Sequence, residues 1–384
     1  KEDFFEADWV NLLKFKVSYG EQGNDNIGNF RYVDTYDLIN ANGYPAASPS
    51  TRGNETITWE KNGNFNAGFE FELFNARLNG GIEGFYRRTS DMLMYFPLPA
   101  SSGFMGYYDN VGNMMNAGLE LELQAVPVRT KDFTWTINAN FTWYKNKITS
   151  LPLERKTLNV EGYDGYSGSG IFYGEGLPMY TQYMKKFAGV NPENGLSMYY
   201  QYVVDESGNK TGEITTTHDY SSADFFLCGT TLAPVYGGFS TSFEYKDFDL
   251  SASFNYQIGG QVYDGDYAAL MSSPTASSRG VNIHADMLNA WTPENKNSNI
   301  PRFMWGDQNT AATSDRFMTN ASYLSLENIN LGYTLPSNIV KKMYLSKLRV
   351  YFAADNIWVW SKRQGLDPRQ SFTGSPNNTY NAPV

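Results

Sequence analysis

Over residues 133–144 the chain reads FTWTINANFTWY. Phe133, Trp135, Ile137, Ala139, Phe141 and Trp143 alternate with Thr134, Thr136, Asn138, Asn140 and Thr142. A period of two sustained over a dozen residues predicts a strand with one apolar and one wet face. The run is about twice the usual strand length, and its rings crowd both ends around a smaller middle. A strand that crosses about 25 Å of hydrocarbon at a tilt, with aromatic girdles at both interfaces, has this form.

The same alternation recurs along the chain. Leu13, Phe15, Val17 and Tyr19 alternate with Lys14, Lys16 and Ser18 over 11–20. The opposite facing would turn both lysines to lipid, at about 2–4 kcal/mol each near the midplane, so they are expected in the lumen. Phe65, Ala67, Phe69, Phe71 and Leu73 form a second strand, followed by a very short turn at 74–76 and a third strand over 78–88. Leu119, Leu121 and Leu123 alternate with Glu120, Glu122 and Gln124, and a tight turn at 129–132 leads into the strand at 133. Later come a hairpin, 239–245 with 248–258 across Lys246 and Asp247, and strands at 322–335 and 348–360. A short helical linker over 337–344 follows Pro336, which stands where a first helical turn tolerates it.

Connections between these nine strands alternate between long (21–62, 89–115, 146–234, 259–321) and tight. Outer-membrane barrels sort their loops this way, with long extracellular loops and short periplasmic turns, whereas a soluble sandwich has no reason to. The expected fold is all-β, an antiparallel transmembrane β-barrel, whose first strand runs outward from the periplasm. An open edge in lipid leaves backbone groups unsatisfied, so the chain is read as a fragment of a larger barrel with at least one further strand beyond it.

Composition agrees. Aromatics make up 16% of the 384 residues and charged residues only 18%, while Gly and Asn are plentiful, as many turns require. No apolar run is long enough for a transmembrane helix. A net charge of −10 lacks the basic footprint of nucleic-acid binding. The lone cysteine, Cys228, cannot close an internal disulfide, and two histidines, His218 and His284, leave little for metal or His-based catalysis. Residues 1–20 carry no signal-peptide pattern.

The segments WEKNGNFNAGFEFELFNARLNGGIEGFYRRTSDML (59–93), DNVGNMMNAGLELEL (109–123), WTPENKNSNIPRF (291–303), SYLSLENINLGYTLP (322–336), LRVYFAADNIWVWSKRQGLDP (348–368) and GNDNIGNFRY (23–32) resemble SusC/RagA-type TonB-dependent transporters. The resemblance covers essentially the whole chain. It implies a 22-stranded barrel, of which the nine strands here are numbers 13 to 21, located in the outer membrane of a Gram-negative bacterium. It also implies an N-terminal plug, a TonB-contacting segment, early strands and a last strand that this sequence lacks. The implied energy source is the proton-motive force through TonB, with no cofactor. The implied partner is a SusD-like surface lipoprotein, and the implied cargo is glycan oligosaccharide in most pairs and oligopeptide in some. Calcium is not indicated by any residue.

Nothing marks an enzyme. Neither histidine stands in a nucleophile-elbow context, and the spacing Asp205-x-Ser207-x-Asn209 reads as a turn rather than a calcium loop. GYDGYSGSG (162–170) is no phosphate cradle, having no strand–helix unit around it, and reads as a mobile loop. Sugars are held by aromatic faces with planar polar groups. Two loop clusters offer these, Phe104, Tyr107, Tyr108, Asp109 and Asn110 in one and Tyr163, Asp164, Tyr166, Phe172 and Tyr173 in the longest loop; packing between loops or docking of the lipoprotein is the competing role. Residues 180–187 and 198–204 are expected to pair around 191–195 outside the membrane. The long loops 146–234 and 259–321 are expected lipoprotein surfaces, with a short packed helix at 283–291. The expected function is TonB-dependent import of glycan oligomers. Alternatives are oligopeptide import, a passive porin or surface glycan-binding protein, and a soluble lectin.

Overall fold

The computed structural model describes residues 7–274, 282–363 and 366–369. They fall into two compact units, one built from residues 7–159, 163–166 and 174–179 and the other from the remaining described residues.

The first unit is an antiparallel meander of five long strands: β1 (Val10–Asn24), β2 (Glu60–Leu73), β3 (Leu78–Ser90), β4 (Asn113–Arg129) and β5 (Phe133–Ser150). Register aligns one apolar residue from every strand into a row, Phe15, Phe69, Ile82, Leu121 and Phe141. The Phe15 and Phe69 rings lie 5.0 Å apart. Phe15, Val17 and Tyr19 stay 60%, 55% and 68% exposed, an apolar surface far larger than water tolerates and suited to lipid. A row nearer the long loops holds Tyr19, Phe65 and Tyr86, an aromatic girdle.

The opposite face is polar. Lys14 and Lys16 both pair with Glu70 there, as their alternation requires. Two further rows bring Glu83 opposite Glu120 and Gly81 opposite Glu122.

The strands outrun their apolar stripes by several residues, always toward the long connections. β1 runs on to Asn24, β2 begins at Glu60 and β5 ends at Ser150. Ladder hydrogen bonds need only backbone groups, so a strand leaving the hydrocarbon continues through polar sequence that carries no hydrophobic period. The tight β2–β3 turn is built from three consecutive left-handed residues, Phe74, Asn75 and Ala76. Phe74 stacks on Trp9 at 5.7 Å, and the Asn75 amide donates to Asn11 Oδ1 at 2.8 Å.

The second unit holds β6 (Val235–Tyr245), β7 (Phe248–Ile258), β8 (Tyr323–Thr334) and β9 (Arg349–Ser361), again antiparallel neighbours in chain order. Its apolar face carries the row Phe243, Leu250, Leu331 and Phe352, and Phe239 stacks on Phe254 at 4.7 Å. On the polar face Arg349 reaches across β8 to Asp249, with Nε 3.0 Å from Oδ1 and Nη2 2.5 Å from Oδ2. Gly332, opposite Asp249, opens the way, because a Cβ there would strike the guanidinium.

The loops are more ordered than their composition suggests. Tyr36–Ala41 and Tyr44–Pro49 form a hairpin whose turn residues, Asn42 and Gly43, are both left-handed. Tyr163–Gly168 is a strand, which corrects the mobile-loop reading of 162–170. In the second unit the expected 180–204 hairpin is divided. Phe187–Val190 pairs with Ser197–Val204, whereas Thr181–Lys185 pairs with Phe225–Thr230. The division falls where Lys185, only 7% exposed, turns inward to bond the carbonyls of Tyr220 and Ser221. The helix expected at 283–291 is a 3-10 turn, Ala285–Asn289. Its Met287 joins a core of Met184, Phe226, Cys228, Met271, Ile300 and Phe317.

Candidate functional site

The first loop cluster folds as a hairpin, Leu93–Pro97 with Gly106–Asn110. Cross-strand register sets Tyr107 against Phe96 and Tyr108 against Tyr95, with ring centroids 5.9 and 5.2 Å apart. Phe104, at the hairpin's end, lies 6.1 Å from Tyr36, and the Arg31 guanidinium covers the Tyr108 ring at 5.2 Å.

One side chain organises this cluster, and no sequence signal marked it. Arg155, in the short turn after β5, lies 3.5 Å over the Phe96 ring. It donates to Tyr107 Oη at 2.8 Å and to Asp109 Oδ2 at 2.7 Å. Burial works to lower the Arg155 guanidinium, but its bonds to Asp109 and Tyr107 outweigh that and hold it above the ordinary arginine value. Asp109 also accepts from Asn54 Nδ2 at 3.0 Å. Asn110 donates to the carbonyls of Asp91 and Thr58 and accepts from the Thr58 amide. Asp109 and Asn110 therefore tie three loops together.

Tyr166 from the second cluster joins the same group, its ring 5.8 Å from Phe96 and its hydroxyl 3.6 Å from Met94 Sδ. Asp164 accepts from Asn159 Nδ2 at 2.7 Å. Tyr163 keeps 39% of its surface exposed and has the most open ring of this second cluster. Nearby, Glu175 accepts from the Leu151 amide at 2.7 Å and pairs with Lys156 at 2.9 Å. Those two contacts, the backbone bond first, hold its carboxyl below the ordinary glutamate value.

Phe172 and Tyr173 belong to the second unit. Phe172 is fully buried against Tyr183, so its expected contact with cargo gives way to packing, and Tyr173 is half-buried. The structure thus brings Tyr107, Asp109 and Tyr166 together around Arg155.

The remaining chemical candidates have structural roles. Asp205 Oδ1 accepts from the amides of Ser207 and Asn209, closing a turn. His284 Nδ1 caps the 3-10 turn by accepting from the Asp286 amide. Among the described residues no three His, Cys, Asp or Glu side chains stand close enough to hold a metal ion.

The family model described as TonB dependent receptor-like, beta-barrel, matches residues 6–357. SusC of Bacteroides thetaiotaomicron, a TonB-dependent receptor, is 31% identical over 399 residues, which are 99% of this chain and 37% of SusC. TonB-dependent receptor P3 of Formosa agariphila is 26% identical over 409 residues, 100% of this chain and 38% of its own. The solved RagAB peptide transporter superposes with a TM-score of 0.81 at 31% identity, covering 96% of this chain and 39% of the matched one. The chain therefore spans less than two fifths of the length of these relatives. Nine long strands with one lipid-suited and one polar face, and a family match over nearly their whole extent, lead to one conclusion: the chain belongs to the TonB-dependent receptor β-barrel family of the outer membrane.

Proposed function

We propose that this chain supplies strands 13 to 21 of a 22-stranded barrel that imports oligomeric nutrients, energised through TonB and working with a SusD-like surface lipoprotein. The rest of the longer protein would carry the plug, the TonB-contacting segment and the remaining strands, and the long loops would meet the lipoprotein.

Glycan oligomers are the proposed cargo. The observation that carries this is the amide content of the polar face, where Asn64 and Asn116 share one row across β2 to β4 and Asn62 stands opposite Thr89 in the next. Neutral planar amides bond sugar hydroxyls in either sense, and the exposed ring of Tyr163 would cover a sugar face. Oligopeptide is the second reading, favoured by the likeness to the RagAB peptide transporter.

A calorimetric screen of the intact transporter–lipoprotein pair against glycan and peptide pools separates the two. Heat with glycan pools alone is the expected result, and binding of peptides alone would overturn it. Uptake that persists after the proton gradient is collapsed would remove active import and leave a passive pore.

A further inference from the structure

The connection between β8 and β9 is basic and exposed. It closes with the Leu335 amide donating to the Leu348 carbonyl at 2.9 Å, beside the two-residue β6–β7 turn, where the Thr334 amide donates to the Asp247 carbonyl. Within it, PSNIVKKMYLSKL (336–348) has three lysines and no acid, in a chain of net charge −10. The helix Ser337–Lys342 buries one side chain, Val340. Its other apolar neighbours face outward, with Ile339 47%, Met343 52% and Leu345 44% exposed, and Tyr344 at 99% touches almost nothing. Lys341, Lys342 and Lys347 are exposed; the charge of Lys347 is felt by Asp249, but none of the three comes within ion-pair distance of an acid among the described residues.

Four exposed apolar side chains beside three exposed lysines would be a liability in water. They suit a membrane interface, where rings and aliphatic groups enter the acyl boundary and lysine stems reach back to the headgroups. The sheet leads directly to this segment. The last apolar row before it is Tyr245, Phe248, Tyr333 and Val350, with Phe248 and Tyr333 rings 4.5 Å apart. Both connections at this end are shorter than the β7–β8 connection at the other, the pattern of a periplasmic end.

We propose that residues 336–348 form an interfacial anchor in the periplasmic leaflet. Ile339, Met343, Tyr344 and Leu345 enter the acyl boundary, while Lys341, Lys342 and Lys347 bind the phosphates of anionic phospholipids. Charge complementarity selects those lipids over zwitterionic ones, and the anchor continues the lipid-facing belt of β6 to β9.

The test uses the full-length transporter in vesicles of phosphatidylcholine, with or without phosphatidylglycerol. A nitroxide at Tyr344→Cys, in a background freed of other reactive cysteines, is compared with one at Ser207→Cys in the exposed turn. The expected ratio of oxygen to nickel-chelate collisions is several-fold higher at 344 than at 207 and rises further with phosphatidylglycerol. The triple variant Lys341→Gln, Lys342→Gln, Lys347→Gln, shown folded by its heat-modifiable band shift, is expected to lose that further rise. A label at 344 as wet as the one at 207 in both lipids would overturn the anchor. A seated label indifferent to both phosphatidylglycerol and the lysines would overturn the anionic-lipid assignment. Neither readout depends on cargo, so the import reading stands or falls separately.

Discussion

Arg155 and Asp109 meet at 2.7 Å although 46 residues separate them, with the Phe96 ring 3.5 Å beneath the guanidinium. The Arg155 side chain is 17% exposed and that of Asp109 30%, so the pair is partly shielded from solvent. It joins the turn after β5 to the hairpin Leu93–Pro97 and Gly106–Asn110.

Removing this pair should loosen the hairpin while leaving the barrel strands intact. Charge-assisted hydrogen bonds of this kind contribute about 1.5–3 kcal/mol, and Arg155→Ala also strands the Tyr107 hydroxyl and the Phe96 face. Hydrogen exchange over 93–110 is expected to quicken about ten-fold or more in Arg155→Ala, with β3 and β4 unchanged. If Tyr107 and Asp109 contact cargo directly, Arg155→Ala also weakens binding in the calorimetric screen; if they serve only to hold loops, it leaves binding intact.

Acid should release the neighbouring loop. The Glu175 carboxyl is held below its ordinary value by the Leu151 amide and Lys156. A depressed carboxyl stabilises the fold above its unfolded pKa, and that contribution disappears as pH falls through the folded one. Exchange of the Leu151 amide is therefore expected to show excess acceleration below about pH 4 in the wild type. Glu175→Gln should flatten this response and start from a faster rate at neutral pH.

Cys228 should be inert in the folded chain. It is 7% exposed, and burial pushes its thiol up to about 12. The thiolate is the reactive form, so at pH 8 only about one part in ten thousand is ionised. Iodoacetamide should leave the native protein unmodified at this position and add one carbamidomethyl group there in denaturant, as read by intact and peptide mass. Rapid native labelling at Cys228 would show that the core around Met184 and Phe226 opens readily.

The strands were legible because lipid imposes a period of two on every residue that touches it. Phe15, Phe69, Ile82, Leu121 and Phe141 each stand at an alternating position, and the register joins them into one row. The strand ends were not legible, since residues such as Gln22 and Asn62 extend the ladder without any apolar signal. The hairpin Tyr36–Ala41 and Tyr44–Pro49 lies inside a polar connection with no apolar period, and its one local sign is Asn42-Gly43, the favoured pair for a turn with two left-handed residues. Arg155 had no such sign. Its role arises from three segments meeting in space, and local spacing says nothing of a partner 46 residues away.

The row through Phe15 and Leu121 offers the sharpest test that this face meets lipid. Leu121 stands midway along β4, between Ile82 and Phe141, while Asn140 of β5, opposite Glu122, points to the polar face. An arginine on a lipid face at the midplane costs about 2–4 kcal/mol, and one facing the lumen is tolerated. Leu121→Arg is thus expected to lower the stability of the full-length protein by that amount in urea titrations of its folding into vesicles. Asn140→Arg, beside the carboxylates of Glu120 and Glu122, should change it by less than about 1 kcal/mol. Equal losses from both substitutions would mean that the two faces do not meet different solvents, and the barrel would have to be abandoned for a sheet buried on both sides.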